Sequence, residues 1–338
     1  MKKIIVILFL LVPINVGAFS DSAKSSIVMD IDSGRVLYEK NAHQKRLIAS
    51  TTKIMTAIVA IENGNLQKEL TAHDEILKMY GTSIYLEYDE KMKLLDLLYG
   101  LLLRSGNDAA VVIANNICNN EKEFVNLMNK KAKEIGMKDT IFANPHGLDE
   151  ETENYSTAYD MALLSKYASH NKVYRMISKT QKYEVQTNNK SYLWINRNKL
   201  LFTYKYCTGG KNGYTPKAGK TLVTTASKND LNLTIVTLDD SDSYLKHKNL
   251  YKRMYNNYHR YKLIDKDNFN ISKSLFDGNL YLKSNFFYPL REEELSQVRI
   301  VEQITSKRYK DKDKVGDINI YLKGSKIGNI NIYAKKNN

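Results

Sequence analysis

The stretch LIASTTKIMTAIV, residues 47–59, places polar residues directly before an apolar run, as at the start of a helix. Ser50 stands at this start and Lys53 follows it by three residues. Residues three apart share one face of a helix, so the Lys53 amine can reach the Ser50 hydroxyl. A free hydroxyl is a poor nucleophile, but a lysine kept neutral by desolvation and a neighbouring cation can take its proton. The stretch therefore predicts a nucleophile beside a base.

The helix start would also present free backbone N–H groups and positive potential close to where an oxyanion forms. The Ser-x-x-Lys spacing is short, however, and it occurs again at Ser243 and Lys246, on a segment that has the pattern of an ordinary polar helix. Short motifs match by chance. The spacing at Ser50 therefore leaves an ordinary helix start open as an alternative.

The sequence on both sides of this stretch alternates between strand-like and helix-like patterns. Before it, residues 26–41 form two strand-like runs joined by Asp32-Ser33-Gly34, which is typical of a hairpin. After it come apolar residues at helical spacing, then alternating strand patterns and a final helix. This order predicts an α/β architecture of the α+β type: an antiparallel sheet that begins with the hairpin, flanked by helices, with a helical subdomain. The expected helices cover residues 91–104, 108–117, 121–135, 157–170 and 243–261, and the expected later strands cover 182–186, 192–195, 221–226 and 231–238.

The composition changes beyond Leu263, where short strand patterns alternate with charged loops. Residues 317–323 and 326–334 read as the two strands of a closing hairpin around Gly324-Ser325. We place a boundary near Asp265 and expect a small all-β domain over residues 265–338.

The N-terminus has the parts of a secretory signal peptide. Lys2 and Lys3 precede an apolar run from Ile4 to Val12, and Val16-Gly17-Ala18 supplies the small residues of a cleavage site. The run is short for a bilayer span, so an uncleaved anchor is the weaker alternative. We expect residues 1–18 to be a signal peptide cut after Ala18, and the mature protein to be exported and either secreted or associated with the cell envelope.

The chain carries 51 Lys and Arg residues against 37 Asp and Glu, a formal net charge of +14. Such a surplus favours electrostatic contact with an anionic cell wall or membrane surface, although a merely lysine-rich solvated surface explains it equally well. The basic residues are scattered, so nucleic acid is the least favoured partner. The two cysteines, Cys118 and Cys207, exclude a disulfide-stapled scaffold. The histidines show no metal-ligand spacing, so we expect neither a metal nor a cofactor.

Two further motifs follow Ser50 along the chain. Ser105-Gly106-Asn107 comes at a glycine turn after an apolar helix, and Lys211-Asn212-Gly213 comes just after Gly209-Gly210. Each has an ordinary alternative: the first could simply cap two helices, and the second could be a hairpin turn centred on Asn-Gly. Ser227-Lys228-Asn229 even repeats the first pattern. The order of the three motifs is more specific than any one of them. The set is a serine at a helix start, then Ser-x-Asn, then Lys-x-Gly before a strand.

This ordered set resembles that of the D-alanyl-D-alanine carboxypeptidases, the low-molecular-weight serine penicillin-binding proteins of the peptidase S11 type. The resemblance implies a β-lactamase/transpeptidase-like catalytic domain over residues 25–262. The phrases that carry it are ASTTK at 49–53, RSGNDAA at 104–110, NPHGL at 144–148 and KNGYT at 211–215.

The resemblance implies a role for each catalytic residue. Ser50 attacks the carbonyl between the two terminal D-alanines of a peptidoglycan stem peptide, which gives an acyl-enzyme and releases D-alanine. Lys53 is the general base and later helps water attack the ester. Ser105 relays a proton to the leaving amine, and Asn107 positions the substrate amide and the Lys53 side chain. β-Lactams are then expected to be covalent inhibitors.

The resemblance also implies a substrate-binding set that includes Gly213 of the third motif. Lys211 places positive potential near the terminal carboxylate of the substrate and helps to keep Lys53 neutral. The backbone N–H groups of Ser50 and Tyr214 bind the oxyanion. For His146, a structural role in its turn and a role facing the substrate are weighted equally.

One position departs from the family pattern. The family usually has threonine between the Lys and Gly of the third motif, and this chain has Asn212. The hydroxyl donates to the substrate carboxylate, whereas an amide is bulkier and reaches a different point. A hydrogen bond to a charged group is worth about 1.5–3 kcal/mol, so we expect a slower or differently selective enzyme.

Two other functions stay open at this point. A catalytically weak penicillin-binding or wall-binding protein fits Asn212 and the basic surface. A β-lactamase fits less well, because no Glu-x-x-Leu-Asn loop lies between the second and third motifs, where Glu150, Glu151 and Glu153 are the acids present.

Overall fold

The computed structural model describes residues 22–271, 279–304 and 310–335. The predicted signal peptide, residues 1–18, lies outside these ranges. Within them, no helix is both long and apolar enough to cross a membrane.

Eight α-helices are found in the described ranges, and apolar side chains at helical spacing explain the longest ones. In the helix that follows Ser50, every residue from Lys53 to Ala60 is buried. The apolar helix expected at 91–104 begins at Leu94 and changes to π-helix over Gly100–Arg104 before it ends at Ser105. The helix at 172–178 was not predicted. The helices are α1 (Lys53–Asn63), α2 (Leu94–Tyr99), α3 (Asn107–Ile117), α4 (Glu121–Ile135), α5 (Ala158–His170), α6 (Lys172–Ser178), α7 (Leu200–Thr203) and α8 (Ser243–Asn257).

Seventeen β-strands accompany them in the described ranges, and five form the main sheet. Residues Lys211 to Gly213 lie inside the ninth strand, so their hairpin-turn alternative is wrong. The strands are β1 (Ser25–Asp30), β2 (Val36–Lys40), β3 (Arg46–Leu47), β4 (Glu69–Thr71), β5 (Lys91–Lys93), β6 (Tyr155–Ser156), β7 (Lys182–Gln186), β8 (Ser191–Ile195), β9 (Cys207–Thr215), β10 (Gly219–Lys228), β11 (Leu231–Leu238), β12 (His259–Ile264), β13 (Asn279–Leu282), β14 (Phe286–Leu290), β15 (Val298–Ile304), β16 (Lys314–Leu322) and β17 (Ser325–Lys335).

The main sheet has the strand order β2-β1-β11-β10-β9, and all four pairings are antiparallel. Alternate residues of each strand face opposite sides of a sheet. Val223 and Val236 belong to the large core that the sheet shares with α1 to α6, whereas Leu233 and Ile235 pack with α8 on the other side. The antiparallel sheet flanked by helices, with its first strands from the N-terminal hairpin, is therefore confirmed.

The later strands form a separate apolar core around a four-stranded sheet, β13-β17-β16-β15. The expected closing hairpin is present as β16 and β17. The predicted helix 243–261 is too long, because α8 ends at Asn257 and Tyr258 already has an extended backbone. Residues 259–264 instead form β12, whose backbone groups pair with β14. This strand therefore belongs with the later strands.

An ion pair joins the two parts of the chain. Arg35, in the turn between β1 and β2, lies 2.7 Å from a carboxylate oxygen of Glu294, and it donates to the carbonyl oxygen of Pro289 at 2.6 Å. Its guanidinium also lies 5.4 Å from the ring centres of both Tyr258 and Tyr288. Both charged side chains are largely buried, so the pair has little screening by water.

Candidate active site

Ser50 lies in a 3₁₀ turn, Ala49–Thr52, that leads directly into α1. Ala49 before it has φ of +46°, a left-handed conformation that is uncommon for a residue with a Cβ. Thr51 fixes the other side of the turn, because its hydroxyl donates to the carbonyl oxygen of Ile48 at 2.5 Å. The turn leaves the Ser50 side chain partly exposed at the edge of a buried helix start.

Lys53 is fully buried, and its amine meets three oxygen atoms. The Nζ atom lies 3.1 Å from Ser50 Oγ and donates to Asn107 Oδ1 at 2.7 Å and to the carbonyl oxygen of His146. Two of these partners are carbonyl-type oxygens, which can only accept. The hydroxyl of Ser50 is the one partner that can donate.

Burial lowers the pKa of Lys53 well below its ordinary value, and the nearby cations Lys211 and Arg197 add to this, against an opposing effect of Asp108. A neutral amine has two protons and one lone pair. When the two protons go to Asn107 and His146, the lone pair is left for the Ser50 hydroxyl. The geometry therefore suits a neutral Lys53 that accepts the Ser50 proton.

Asn107 reaches Lys53 from the first turn of α3. It follows Ser105, whose φ of +68° ends the π-helical segment and turns the chain. The Asn107 backbone N–H donates to Thr82 O at 2.8 Å and its side-chain amide donates to Tyr80 O at 2.7 Å. These bonds leave the Asn107 side-chain oxygen facing Lys53. Ser105 lies on the same turn, two residues before Asn107.

Asp108 anchors the segment that covers this turn. Its two carboxylate oxygens accept the backbone N–H groups of Ile84 and Leu86, each at 3.0 Å. The carboxylate is buried, so its negative charge also acts on Lys53. The quoted phrase at 104–110 contains Asp108, but the sequence analysis predicted no role for it.

Lys211 is buried on β9 and its amine donates to the carbonyl oxygen of Asn212 at 2.7 Å. Burial, with a smaller effect of Arg197, lowers the pKa of Lys211 to about 7. Gly213, two residues on, faces the same side. A Cβ at Gly213 would lie 2.8 Å from the backbone nitrogen of Ser50, so glycine lets β9 pass directly beside the nucleophile turn.

Asn212 and Tyr214 point to the other side of β9, since successive residues of a strand alternate. Their cross-strand partners on β10 are Leu222 and Lys220. Asn212 is half-buried and Tyr214 is exposed. Asn212 thus offers its side chain on the α8 side of the sheet, while its carbonyl oxygen binds Lys211.

His146 contacts Lys53 through its main-chain carbonyl group. Its carbonyl oxygen accepts from Lys53, and its ring Nδ1 accepts the backbone N–H of Leu148 at 3.1 Å. Burial, with the nearby Lys53, lowers the pKa of His146 to about 3, so the ring is neutral. Of the two roles weighed for His146, these contacts favour the structural one in its turn.

Arg197 is the clearest residue that the motifs missed. Its guanidinium donates to Thr82 Oγ1 at 3.1 Å, and its charge lowers the pKa of both Lys53 and Lys211. It follows β8 in a segment with no recognisable motif. Its position beside the site comes from tertiary packing, since its backbone N–H donates to Leu103 O at 3.0 Å.

The other Ser-x-x-Lys pairs are on other elements. Ser243 and Lys246 belong to α8, on the opposite face of the sheet from α1, and Ser169 and Lys172 lie where α5 meets α6. In the described ranges, no group of three or more His, Cys, Asp or Glu side chains is placed to hold a metal ion. Cys118 and Cys207 are both free thiols. The chemistry that the site offers is nucleophilic attack by a serine activated by a lysine, because the Lys53 amine lies 3.1 Å from Ser50 Oγ.

A profile of the family described as D-alanyl-D-alanine carboxypeptidase matches residues 15–242, which is more than half of the chain. The chain belongs to the D-alanyl-D-alanine carboxypeptidase family. All four phrases that carried the resemblance fall inside the matched residues.

Two curated members of the family illustrate the similarity. The chain is 37% identical over 215 residues to D-alanyl-D-alanine carboxypeptidase DacF of Bacillus subtilis, covering 62% of this chain and 55% of that protein. It is 35% identical over 236 residues to D-alanyl-D-alanine carboxypeptidase DacC of Escherichia coli, covering 66% and 58%. The similarity thus spans little more than half the length of these relatives.

The solved structure of penicillin binding protein 5 from Haemophilus influenzae extends the likeness beyond the matched residues. It superposes with a TM-score of 0.78 at 26% identity, over 94% of this chain and 97% of that one. The likeness to this structure therefore includes the later strands, which lie beyond the residues that the family profile matches.

Proposed function

We propose that this chain is a serine-type D-alanyl-D-alanine carboxypeptidase that removes the terminal D-alanine from peptidoglycan stem pentapeptides. Family membership supports the reaction class. The observation that carries the proposal is the buried Lys53 amine, which lies 3.1 Å from Ser50 Oγ with two further acceptors to hold its protons. Burying an unpaired charge is costly, so the three oxygen partners of this amine matter as much as its burial.

In the proposed acylation, neutral Lys53 takes the Ser50 proton while Ser50 Oγ attacks the carbonyl carbon of the penultimate D-alanine. The developing oxyanion is held by the backbone N–H groups of Ser50 and Tyr214, which the close approach of Gly213 to the Ser50 turn supports. As the C–N bond breaks, Ser105 relays the proton from Lys53 to the leaving nitrogen. D-alanine departs and the ester remains on Ser50.

In the proposed deacylation, the neutral Lys53 amine takes a proton from a water molecule, whose oxygen attacks the ester carbonyl. Collapse of the second tetrahedral intermediate breaks the bond to Ser50 Oγ, which recovers a proton from Lys53. Asn107 keeps the amine in place through both steps, since its own amide is fixed by Tyr80. The peptide shortened by one residue is released as a carboxylic acid.

The proposed anchor for the terminal carboxylate of the substrate is the positive end of the site. Lys211 and Asn212 come from the third motif, and the structure adds Arg197, which lies close enough to lower the pKa of both lysines. A carboxylate at this point would favour the charged form of Lys211, whose pKa in the free protein is about 7.

The proposed setting is extracytoplasmic, because stem peptides lie outside the cell membrane and residues 1–18 read as a signal peptide. β-Lactams are the proposed covalent inhibitors. The net charge of +14 supports contact with an anionic cell wall or membrane surface. The proposed organisation is a catalytic domain that starts near residue 25 and a β-rich domain after it. The expected boundary near Asp265 moves to the start of β12, because β12 pairs with β14.

Labelling with a fluorescent penicillin tests the proposal. The wild type should be labelled, and mass spectrometry of the adduct should place the penicilloyl group on Ser50. Ser50→Ala should abolish the label, whereas Ser169→Ala, at the Ser-x-x-Lys spacing that Ser169 forms with Lys172, should leave it intact. An adduct on any residue other than Ser50 would contradict the proposal.

Release of D-alanine from a pentapeptide then separates this function from a catalytically weak penicillin-binding protein, which Asn212 keeps open. An enzyme turns over many peptides per chain, whereas a sensor is acylated without D-alanine accumulating. A β-lactamase would instead lose its penicillin label within seconds to minutes by rapid deacylation.

A further inference from the structure

A pocket of about 320 Å³ lies on the α8 side of β9, next to the third motif. We call it the strand-edge pocket. Its volume is near the lower limit of sites for small organic ligands, about 300 Å³. The residues that line it and that matter here are Arg197, Lys199, Asn212, Lys220, Ser243 and Tyr244.

The strand-edge pocket is continuous with the nucleophile turn. Gly213 lines it, and a Cβ on Gly213 would lie 2.8 Å from the Ser50 backbone nitrogen. Thr221 also lines it, and its hydroxyl donates to Ile48 O, two residues before Ser50, at 3.1 Å. A peptide bond placed at Ser50 with its terminal carboxylate near Lys211 and Asn212 therefore brings the leaving residue to this pocket.

The charge of the strand-edge pocket exceeds what one carboxylate needs. Among the residues that the structure describes, it is lined by Arg197, Lys199 and Lys220 and by no Asp or Glu. Arg197 donates to a threonine hydroxyl and Lys220 to the carbonyl oxygen of Ser241 at 2.8 Å, both uncharged acceptors. The pocket also includes Ser243 and Tyr244, the first two residues of the 15-residue helix α8, whose N-terminus adds positive potential that the N-cap residue Asp242 partly offsets.

We propose that the strand-edge pocket favours a leaving residue with an acidic side chain, such as D-aspartate, over a neutral residue of the same shape. This inference rests on the proposed function, because it places the leaving residue of the same reaction. The terminal carboxylate occupies the Lys211 and Asn212 end. The side-chain carboxylate then lies among Lys199, Lys220 and the start of α8. The methyl group of D-alanine cannot form an ion pair with these cations.

The experiment compares three stem pentapeptides that differ only in the last residue: D-alanine, D-asparagine and D-aspartate. D-asparagine matches D-aspartate in shape and lacks its charge. We expect kcat/KM for the D-aspartate peptide to exceed that for the D-asparagine peptide by about fivefold at low ionic strength, the size of a partly exposed ion pair. The ratio should shrink in high salt, because exposed charges are screened.

Two variants with the same change of charge identify the source of the preference. Lys199→Gln removes a cation of the strand-edge pocket, and the D-aspartate to D-asparagine ratio should fall by at least half. Lys252→Gln removes an exposed cation further along α8 and should leave the ratio unchanged. If both variants lower the D-aspartate to D-asparagine ratio equally, the strand-edge pocket is not the source of the preference.

The result also separates the two proposals. Release from the D-alanine and D-asparagine peptides, with D-aspartate no faster than D-asparagine, would overturn the inference about the pocket alone. No release from any of the three peptides would overturn the carboxypeptidase function, and the inference with it.

Discussion

Gly147 and Ala49 meet main chain to main chain beside the nucleophile: a Cβ on Gly147 would overlap the carbonyl oxygen of Ala49. Both residues have positive φ, +87° and +46°. The loop that contains His146 therefore fits against the turn that contains Ser50 without space for any side chain at Gly147. The same loop supplies the carbonyl oxygen that holds Lys53, so one contact positions both partners of the reaction.

Gly147→Ala should therefore slow acylation as well as destabilise the fold. A left-handed alanine costs about 1–2 kcal/mol, and the overlap with Ala49 adds to this. Gly136→Ala is the matched control, because Gly136 has φ of +89° but no atom of the described residues lies within 4 Å of a new Cβ. Urea unfolding should show a lower free energy of unfolding for both variants, with the larger decrease for Gly147→Ala. Equal penicillin labelling rates for the two variants would argue against the contact.

The pH dependence of acylation should show the titration of Lys211. Its pKa of about 7 means that the amine is charged below that pH and neutral above it. A charged amine attracts the penicillin carboxylate, so the second-order rate of labelling should fall as the pH rises through about 7. Lys211→Arg keeps the charge at every accessible pH and should remove this decline. The same decline in both proteins would show that another group titrates.

The acid side of the same profile should respond to Asp108. Its buried charge raises the pKa of Lys53, against the effects of burial and of Lys211. Asp108→Asn removes that charge, so the pKa of Lys53 falls further and the neutral form persists to lower pH. The acid limb of the labelling profile should move to lower pH. The variant should also lose about 1–3 kcal/mol of stability, since one of the N–H groups of Ile84 and Leu86 loses its acceptor.

Asn212→Thr should raise turnover of the pentapeptide. The hydroxyl restores a donor to the substrate carboxylate worth about 1.5–3 kcal/mol, which corresponds to tenfold or more in kcat/KM. The backbone carbonyl that binds Lys211 is unaffected. Asn212→Val has the shape of threonine without the hydroxyl and should show no gain. If the threonine variant is slower than the wild type, the assigned role of position 212 is wrong.

The ion pair between Arg35 and Glu294 should stabilise the whole chain in a pH-dependent way. Despite burial, hydrogen bonds from Arg35 and from the Arg291 backbone and the Arg35 charge lower the pKa of Glu294 to about 2, against an ordinary value of 4.5. A lowered carboxylate pKa stabilises the fold above the ordinary value, and this stabilisation is lost as the pH falls toward the lowered one. The difference in Tm between the wild type and Glu294→Gln should be largest above about pH 4.5 and should shrink toward pH 2. A difference that does not change with pH would mean that packing, and not charge, joins the two parts.

Much of this arrangement can be predicted from the sequence, because helix and strand periods are local. The Ser50 to Lys53 spacing follows from one helical turn, and the alternation in residues 182–238 predicts the strands. Main-chain contacts are harder to predict, since every residue has a carbonyl group. The bond from Lys53 to the His146 carbonyl oxygen therefore left no mark in the sequence.

Other differences have their origin in tertiary structure. The pattern from Tyr255 to Tyr261 fits a helix or a strand equally well. The helix ends at Asn257 because β14 offers backbone partners to the next residues. No motif in the sequence marks Arg197. The packing of the segment after β8 against Leu103 brings it to the site.

β9 is the outermost strand of the main sheet. The N–H and C=O groups along its outer edge can pair with an extended peptide, and such pairing recognises a backbone irrespective of side chains. The carbonyl oxygens of Gly209 and Asn212 already accept from Asn198 and Lys211. A free edge of this kind also invites association between copies of the same chain. Gly209 and Gly210, with φ of +155° and +140°, depart from regular strand geometry just before Lys211, so only a short length of the edge is regular. β9 can therefore pair with a short extended peptide, but it is unsuited to pairing with a long strand of another copy.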